Sequence, residues 1–308
     1  MQRYIIRRLL LAVPVLLGVS IAVFSMMHLI PGDPALAMLR GQPQVTDADV
    51  FRVREDLGLN DPVPVQYIKY LSRVVQGDFG RSVQTKRPVL MDIAAQAPST
   101  LQLALTAVLL AVTLGVVLGV VSALRQNSWV DTLAMLTALF GVSMPSFWFG
   151  LILIFVFSLK LGWLPATGQG GLERLILPAV ALGMDFSAVT ARMVRANLLE
   201  VLVTDYVRTA RAKGVGQRLV VLRHALRNAM IPAITIVGLQ LGTLLGGAVV
   251  VETVFARQGI GRLLVTAIMA KDFPVVQGVV LLAAAVYLLL NLMIDLTYAF
   301  FDPRIRYS

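Results

Sequence analysis

Few side chains in this 308-residue sequence could carry out covalent or acid–base chemistry. There are two histidines, His28 and His224, and no cysteine. That removes thiolate metal sites, cysteine nucleophiles and a disulfide framework. No HExxH or His-x-x-x-His spacing occurs, so a zinc site has no ligand set. No Gly-x-x-x-x-Gly-Lys-Ser/Thr run is present to cradle nucleotide phosphates, and the glycine cluster at 168–171 lacks the lysine. Two kinds of candidate are left. The first is a pair of acids inside apolar runs, Asp185 and Asp295, since an ionised carboxylate in hydrocarbon costs several kcal/mol and is a functional candidate by default. Asp185 stays open to two readings: a pathway acid, or a packing acid paired with Arg192 or Arg195. Asp295 reads as structural, paired with Arg304 or Arg306. His28 reads as an interfacial residue, and Glu252 as a solvated or partner-contacting acid at the end of its span.

The second candidate is a basic island, DYVRTARAKGVGQRLVVLRHALRNAMIP, at 205–232. Eight Lys/Arg residues lie between Arg192 and Arg227 against two acids, Glu200 and Asp205. Thr209, Ala210, Ala212, Gly214 and Gly216 are small enough to let a bulky partner approach. The chemistry on offer is docking. The plainer alternative is that the charges only hold this loop on one side of a membrane.

The elements around these residues are membrane-grade. Hydrophobic residues make up 57% of the chain and charged ones 14%, against roughly a quarter charged in soluble domains. Mean hydropathy is +0.80. A net charge of +10 would suggest nucleic acid in a soluble protein, but here the basic residues sit at the ends of apolar runs, which points to topology and not to nucleic acid. Six segments are long enough for helical spans: 9–30, 99–124, 132–159, 175–195, 229–251 and 276–300. The first follows Arg3, Arg7 and Arg8 and leads into Pro-Gly-Asp-Pro at 31–34, so it reads as a retained span and not as a cleaved leader. The expected fold is an all-α polytopic membrane protein with six transmembrane helices. Placing both termini in the cytoplasm puts 14 basic residues and four acids on that side, as the positive-inside rule favours.

Residues 1–30 then form the N-terminal tip and first helix, 31–98 an outer capping loop, and 95–298 the transmembrane core. That core includes the island as a cytoplasmic loop over 199–228 and an outer re-entrant segment over 253–276. In the latter, Gly259 and Gly261 permit a turn and the Phe273-Pro274 pair ends a short helix. Gly115 and Gly119 form a small-residue face read as internal packing. Gly238, Gly242 and Gly246 form another, read as a face toward a partner subunit or a substrate path. Pro145 and Pro178 are expected to break helices.

Five stretches carry a family resemblance: RYIIRRLLLAVPVLLGVSIAVFSMMHLIPGDPA at the start, QGDFGRSV at 76–83, the island itself, GGAVVVETVFARQGIGRLL, and the terminal DPRIRY. Together they resemble the peptide-type permease subunits of bacterial ABC importers, inner-membrane components of binding-protein-dependent transport, and look most like the first of two such permeases. The resemblance implies a type I importer architecture and transport of dipeptides, oligopeptides or glutathione, with nickel complexes also open. It implies four kinds of partner: a second permease, two ATP-binding subunits, an extracytoplasmic binding protein and the peptide substrate. ATP and magnesium would be held by those subunits and no cofactor by this chain. In the family's coupling loop, Gly214 takes the place of the motif glycine. Arg208, Thr209 and Ala210 stand at the Glu-Ala-Ala positions, and His224 to Arg227 stand where Ile-x-Leu-Pro would be. Only Ala210, Gly214 and Leu226 agree literally. The resemblance thus implies an ATPase-coupling helix built from Tyr206, Arg208, Thr209, Ala210, Arg211, Ala212, Lys213 and Gly214. Asp185, Gly238, Gly242, Gly246 and Pro145 are pathway or packing candidates, and Asp33, Asp78, Glu252 and Arg257 are candidate contacts for an outer-face partner. An ion-gradient-driven secondary transporter or channel is the alternative, although it would want more membrane-embedded charge and inverted repeats.

Overall fold

The computed structural model describes residues 2–29, 32–39 and 45–301. Among them the chain is helical throughout, and its one β-type pairing is an isolated antiparallel bridge between Arg81 and Pro88. The helices in order are α1 (Gln2–Leu29), α2 (Pro34–Leu39), α3 (Asp47–Leu57), α4 (Val63–Val75), α5 (Val89–Leu124), α6 (Trp129–Ser143), α7 (Ser146–Leu153), α8 (Glu173–Leu202), α9 (Asp205–Ala212), α10 (Gln217–Leu219), α11 (Leu226–Val254), α12 (Ile260–Met269) and α13 (Phe273–Phe301). Two π-helical stretches, Ile154–Lys160 and Val220–Ala225, follow α7 and precede α11.

Among the described residues, four helices are long and apolar enough to cross a membrane: Ile5–Leu29, Val89–Leu124, Glu173–Leu202 and Phe273–Leu296. Two bent pairs bring the number to six if each pair counts as one span. The expected span at 132–159 is the first of these pairs, with 111° between Trp129–Ser143 and Ser146–Lys160. Pro145 causes the break. Its ring disfavours helical geometry at the residue before it, and Met144 lies at φ −104°, ψ 131°. The second pair, Ile236–Leu244 and Gly246–Val254, bends by 52°. Pro178, by contrast, does not interrupt α8, which runs unbroken for 30 residues. It is the sixth residue of that helix, past the turn whose N–H groups are free in any case, so α8 runs through it with one backbone hydrogen bond fewer.

The chain divides into two compact units, Met1–Pro98 with Gly259–Ser308, and Ser99–Gln258. In the first unit, Phe24 and Met27 of α1 pack with Met38, Leu39, Tyr70, Val83 and Phe273. Thr46 and Asp49 form a reciprocal capping box that starts α3, and Gly58 at φ 66° stops it. Asp272 is buried and accepts from Ser82 Oγ at 2.5 Å and from the N–H groups of Val83 and Gln84, both at 3.2 Å. That ties the 79–86 loop to the start of α13. Arg8 pairs with Asp295 at 2.9 Å, linking α1 to α13. The partners expected for Asp295, Arg304 and Arg306, lie outside the described residues. The expected turn before α12 is made elsewhere: the left-handed residue is Ala256 at φ 50°, while Gly259 is extended at φ −138°. Phe273 and Pro274 open α13 and do not close α12, which ends at Met269. Proline suits a first helical turn.

In the second unit α8 is the central helix, with thirteen buried residues. A Cβ on Gly115 would lie 2.6 Å from Thr190 Cβ, and one on Gly119 would lie 2.6 Å from the Ala191 carbonyl oxygen. The Gly-x-x-x-Gly face of α5 therefore packs against α8 within this chain, as such small faces allow. Gly183 likewise lies against the backbone of Ala107.

Candidate docking site

The basic island folds in the second unit as α9, α10, the π-helical turn and the start of α11. Its shape follows from alternation of one apolar side chain with charged ones. Val207 is fully buried in a cluster with Ala123, Leu198, Val220, Ala225 and Ala229, and Ala210 and Val215 pack at the edge. Burial of a Val side chain contributes about 2 kcal/mol. Tyr206 adds a polar fastening: its hydroxyl accepts from Asn228 Nδ2 at 2.7 Å and donates to the His224 carbonyl at 3.3 Å. Arg211 Nη1 reaches the Leu202 carbonyl at 3.5 Å. With one face held, Arg208, Thr209, Arg211, Ala212 and Lys213 face outward. Arg208 Nη1 and Asp205 Oδ1 are 3.9 Å apart, both well exposed, so that pair contributes little.

Gly214 ends the helix. At φ 78° it is left-handed. Its N–H donates to the Arg211 carbonyl at 3.0 Å, and the Val215 N–H donates to the Ala210 carbonyl at 3.2 Å. This is the hydrogen-bond pattern of a Schellman cap, with Ala210 and Val215 both packed against the Val207 cluster. No atom lies within 4 Å of where a Gly214 Cβ would stand. Within this chain, glycine at 214 answers a backbone need and not a crowding need.

A second polar node joins α6 to α8. Asp131 of α6 receives Arg195 of α8 in a bidentate pair, Nε and Nη2 each at 2.8 Å. It also accepts from the Ser122 hydroxyl and from the Asn127 N–H at 3.0 Å. Arg195 thus serves Asp131, which overturns its expected pairing with Asp185. Among the described residues Asp185 Oδ1 has no hydrogen-bond partner. The sequence reading passed over Asp131, although the spacing Ser128-x-x-Asp131 is a helix-start signature, and Ser128 does cap α6. Val207 was missed as well. Its signal was present in a strongly amphipathic short helix whose one large apolar side chain follows Tyr206.

The remaining candidates divide. Glu252 is fully buried and accepts from Thr100 Oγ1 at 2.6 Å, so its reading as a solvated acid is overturned. Arg257 is also buried, with Nη2 at 3.3 Å from both Ser99 Oγ and Gln102 Oε1. Burial lowers the pKa of its guanidinium, and the Glu252 carboxylate opposes that shift. Both side chains are buried inside the second unit and offer no exposed surface there. Asp33 caps the Ala35 N–H at 3.1 Å and pairs with Arg54 at 2.5 Å. Asp78 is exposed and accepts from the Gly80 N–H at 2.9 Å. His28 meets Gln66 Oε1 at 3.1 Å. Gly246 has open space where a Cβ would stand, Gly242 is buried, and Gly238 is half-buried. No group of three or more His, Asp or Glu residues could hold a metal ion among the described residues.

Fold and site together define a multi-spanning α-helical membrane protein that presents a short, capped, cationic helix on an otherwise apolar framework. The comparisons resolve the class further. The family described as the binding-protein-dependent transport system inner membrane component matches residues 115–307, and its N-terminal counterpart matches residues 1–104. The chain belongs to this family of ABC importer permeases. The dipeptide transport system permease protein DppB of Alkalihalophilus pseudofirmus is 44% identical over 335 aligned positions, covering all of both chains. The glutathione transport system permease protein GsiC of Escherichia coli K12 is 46% identical over 308 residues, and that of Salmonella paratyphi A is 45% identical, again over both full lengths.

Proposed function

We propose that this chain is one of two permease subunits forming the translocation pathway for dipeptides, oligopeptides or glutathione in a bacterial inner-membrane importer. In this reading six spans cross the membrane, each bent pair counting as one, and both termini and α9 face the cytoplasm. The positive-inside charge bias supports that sidedness. Two ATP-binding subunits hold ATP and magnesium and carry out hydrolysis. A binding protein delivers substrate to the opposite face, and this chain catalyses nothing itself.

The observation that carries the reading is α9. One side is seated on the cluster around Val207 and the other presents Arg208, Arg211 and Lys213. Such a helix can sit in a partner's groove and pass a rigid-body displacement into the spans it is fastened to. Asp185 has no ion-pair partner among the described residues and is proposed as a pathway residue, as is the open face at Gly246. Charge reversal of Arg208 and Arg211 to Glu tests the reading, because both side chains project from the chain. Co-purification of the ATP-binding subunits and ATP-dependent uptake of a labelled dipeptide should both fall, with the chain still inserted at normal levels. Unchanged co-purification and uptake would remove α9 as the coupling element.

A further inference from the structure

The apolar side chains of α4 cover more of its circumference than the first unit itself uses. Successive residues turn by about 100° around a helix, which sorts α4 into three arcs. Tyr67, Tyr70 and Val74 form the inner arc and pack with Phe24 and Met27 of α1. Gln66, Lys69 and Arg73 form a polar arc that is fastened to the preceding turn. Gln66 Nε2 donates to the Asp61 carbonyl at 2.7 Å, Lys69 pairs with the Asp61 carboxylate at 2.6 Å, and Arg73 donates to the Asp56 carbonyl at 3.0 Å. Val65, Ile68 and Val75 share the third arc and are 38%, 65% and 80% exposed. An aliphatic stripe beside a cationic arc is the pattern of a helix that lies in a membrane rather than above it.

The contacts with α1 set the depth. Ser20 Oγ and the Tyr67 hydroxyl are 2.8 Å apart, and the Phe24 ring lies 5.4 Å from that of Tyr67 and 5.7 Å from that of Tyr70. The span in α1 runs to Leu29, so Phe24 and Ser20 lie about 7 and 13 Å inside its end. One leaflet of hydrocarbon is about 15 Å thick. Ile21 and Met26 of α1 are exposed at the same depth, where lipid reaches the span. The α4 stripe carries no aromatic residue and no arginine, the types that protein-docking faces favour. We infer that α4 is embedded in the leaflet at the C-terminal end of α1, with Val65, Ile68 and Val75 against acyl chains and Lys69 and Arg73 turned toward the headgroups. In the topology proposed above this is the outer leaflet.

The inference rests on α1 crossing the membrane and is independent of the coupling role of α9. Because the chain has no cysteine, single nitroxide labels can be placed in the full-length protein through Val65→Cys, Ile68→Cys, Val75→Cys and Lys69→Cys. All four positions are exposed, so the labels displace no core packing. Power-saturation EPR then compares collisions with oxygen, which concentrates among acyl chains, and with a water-soluble nickel chelate. It is run on the chain in lipid nanodiscs and on the importer assembled with its partner subunits. In both, positions 65, 68 and 75 should collide mainly with oxygen, and nickel collisions there should be at least about tenfold fewer than at 69, because hydrocarbon excludes a polar reagent. Nickel collisions equal to those at 69 would place the stripe in water and overturn the inference. Few collisions with either reagent in the assembled importer would show a partner subunit covering the stripe, and would overturn it too.

Discussion

Substitution at Gly214 separates two explanations for that glycine. If it exists to let a partner approach, damage should grow with side-chain size. If it exists to hold the left-handed cap seen at φ 78°, damage should follow the left-handed preference of the new residue. The magnitudes follow from the contacts of α9. Burial of Val207 contributes about 2 kcal/mol and the Tyr206–Asn228 hydrogen bond about 1 kcal/mol, so roughly 3 kcal/mol holds the helix down. Alanine in the left-handed region costs about 1 kcal/mol and β-branched valine about 2 kcal/mol, whereas asparagine visits that region readily. No neighbouring atom adds a steric contribution, because the space around a Gly214 Cβ is empty. Hydrogen exchange of the α9 amides, measured on the full-length chain in nanodiscs, reads the docked population directly. Protection should fall about fivefold for Gly214→Ala and about thirtyfold for Gly214→Val, with Gly214→Asn between glycine and alanine. Protection lost in the order Ala, Asn, Val, rising with volume, would refute the cap argument. Uptake by the reconstituted importer should stay near normal for Gly214→Ala, since about 2 kcal/mol still holds α9 docked in that variant.

Other outcomes follow from the same geometry. Asp131→Asn and Arg195→Gln should each lower thermal stability, and the double variant should lose less than their sum by about 2 kcal/mol, because each single change strands a largely buried partner; a scan of all three variants measures this. Gly119→Ala should destabilise by about 1–3 kcal/mol through overpacking against α8, whereas Gly246→Ala, with nothing near its Cβ, should be neutral or stabilising by up to about 1 kcal/mol. Thermal melts of the two variants decide it. Asp272→Ala should release the 79–86 loop, costing about 2–3 kcal/mol for a buried acceptor of three bonds, and limited proteolysis should then cut near Arg81 or Lys86.

The placement of the site was legible wherever composition alone decides the outcome. Long uncharged runs must be helical in a membrane because unpaired backbone groups cannot be left in hydrocarbon. A basic segment between two such runs must stay in water. Those two facts mark the spans and make 205–232 the docking candidate with no coordinates at all. Glycines 115 and 119 were readable for the same reason: a stripe of missing side chains has to meet something bulky.

Pairing was not legible, because it depends on which helices become neighbours. Asp185 read as either a pathway acid or a packing acid paired with Arg192 or Arg195 further along the same helix. Arg195 instead meets Asp131, sixty-four positions away, because α6 packs on α8 and carries that acid to it. Glu252 and Arg257 looked exposed beside a loop, but α5 brings Thr100, Ser99 and Gln102 over them. Gly214 stood out as a small residue, but sequence shows only that a side chain is missing and not the left-handed φ of 78° that glycine adopts there. Hydropathy and local turn chemistry are properties of a segment, so the sequence by itself determined the class of protein and the location of its cationic helix. Ion pairs, burial and the seating of α4 against α1 are properties of neighbours, and only tertiary packing chose those.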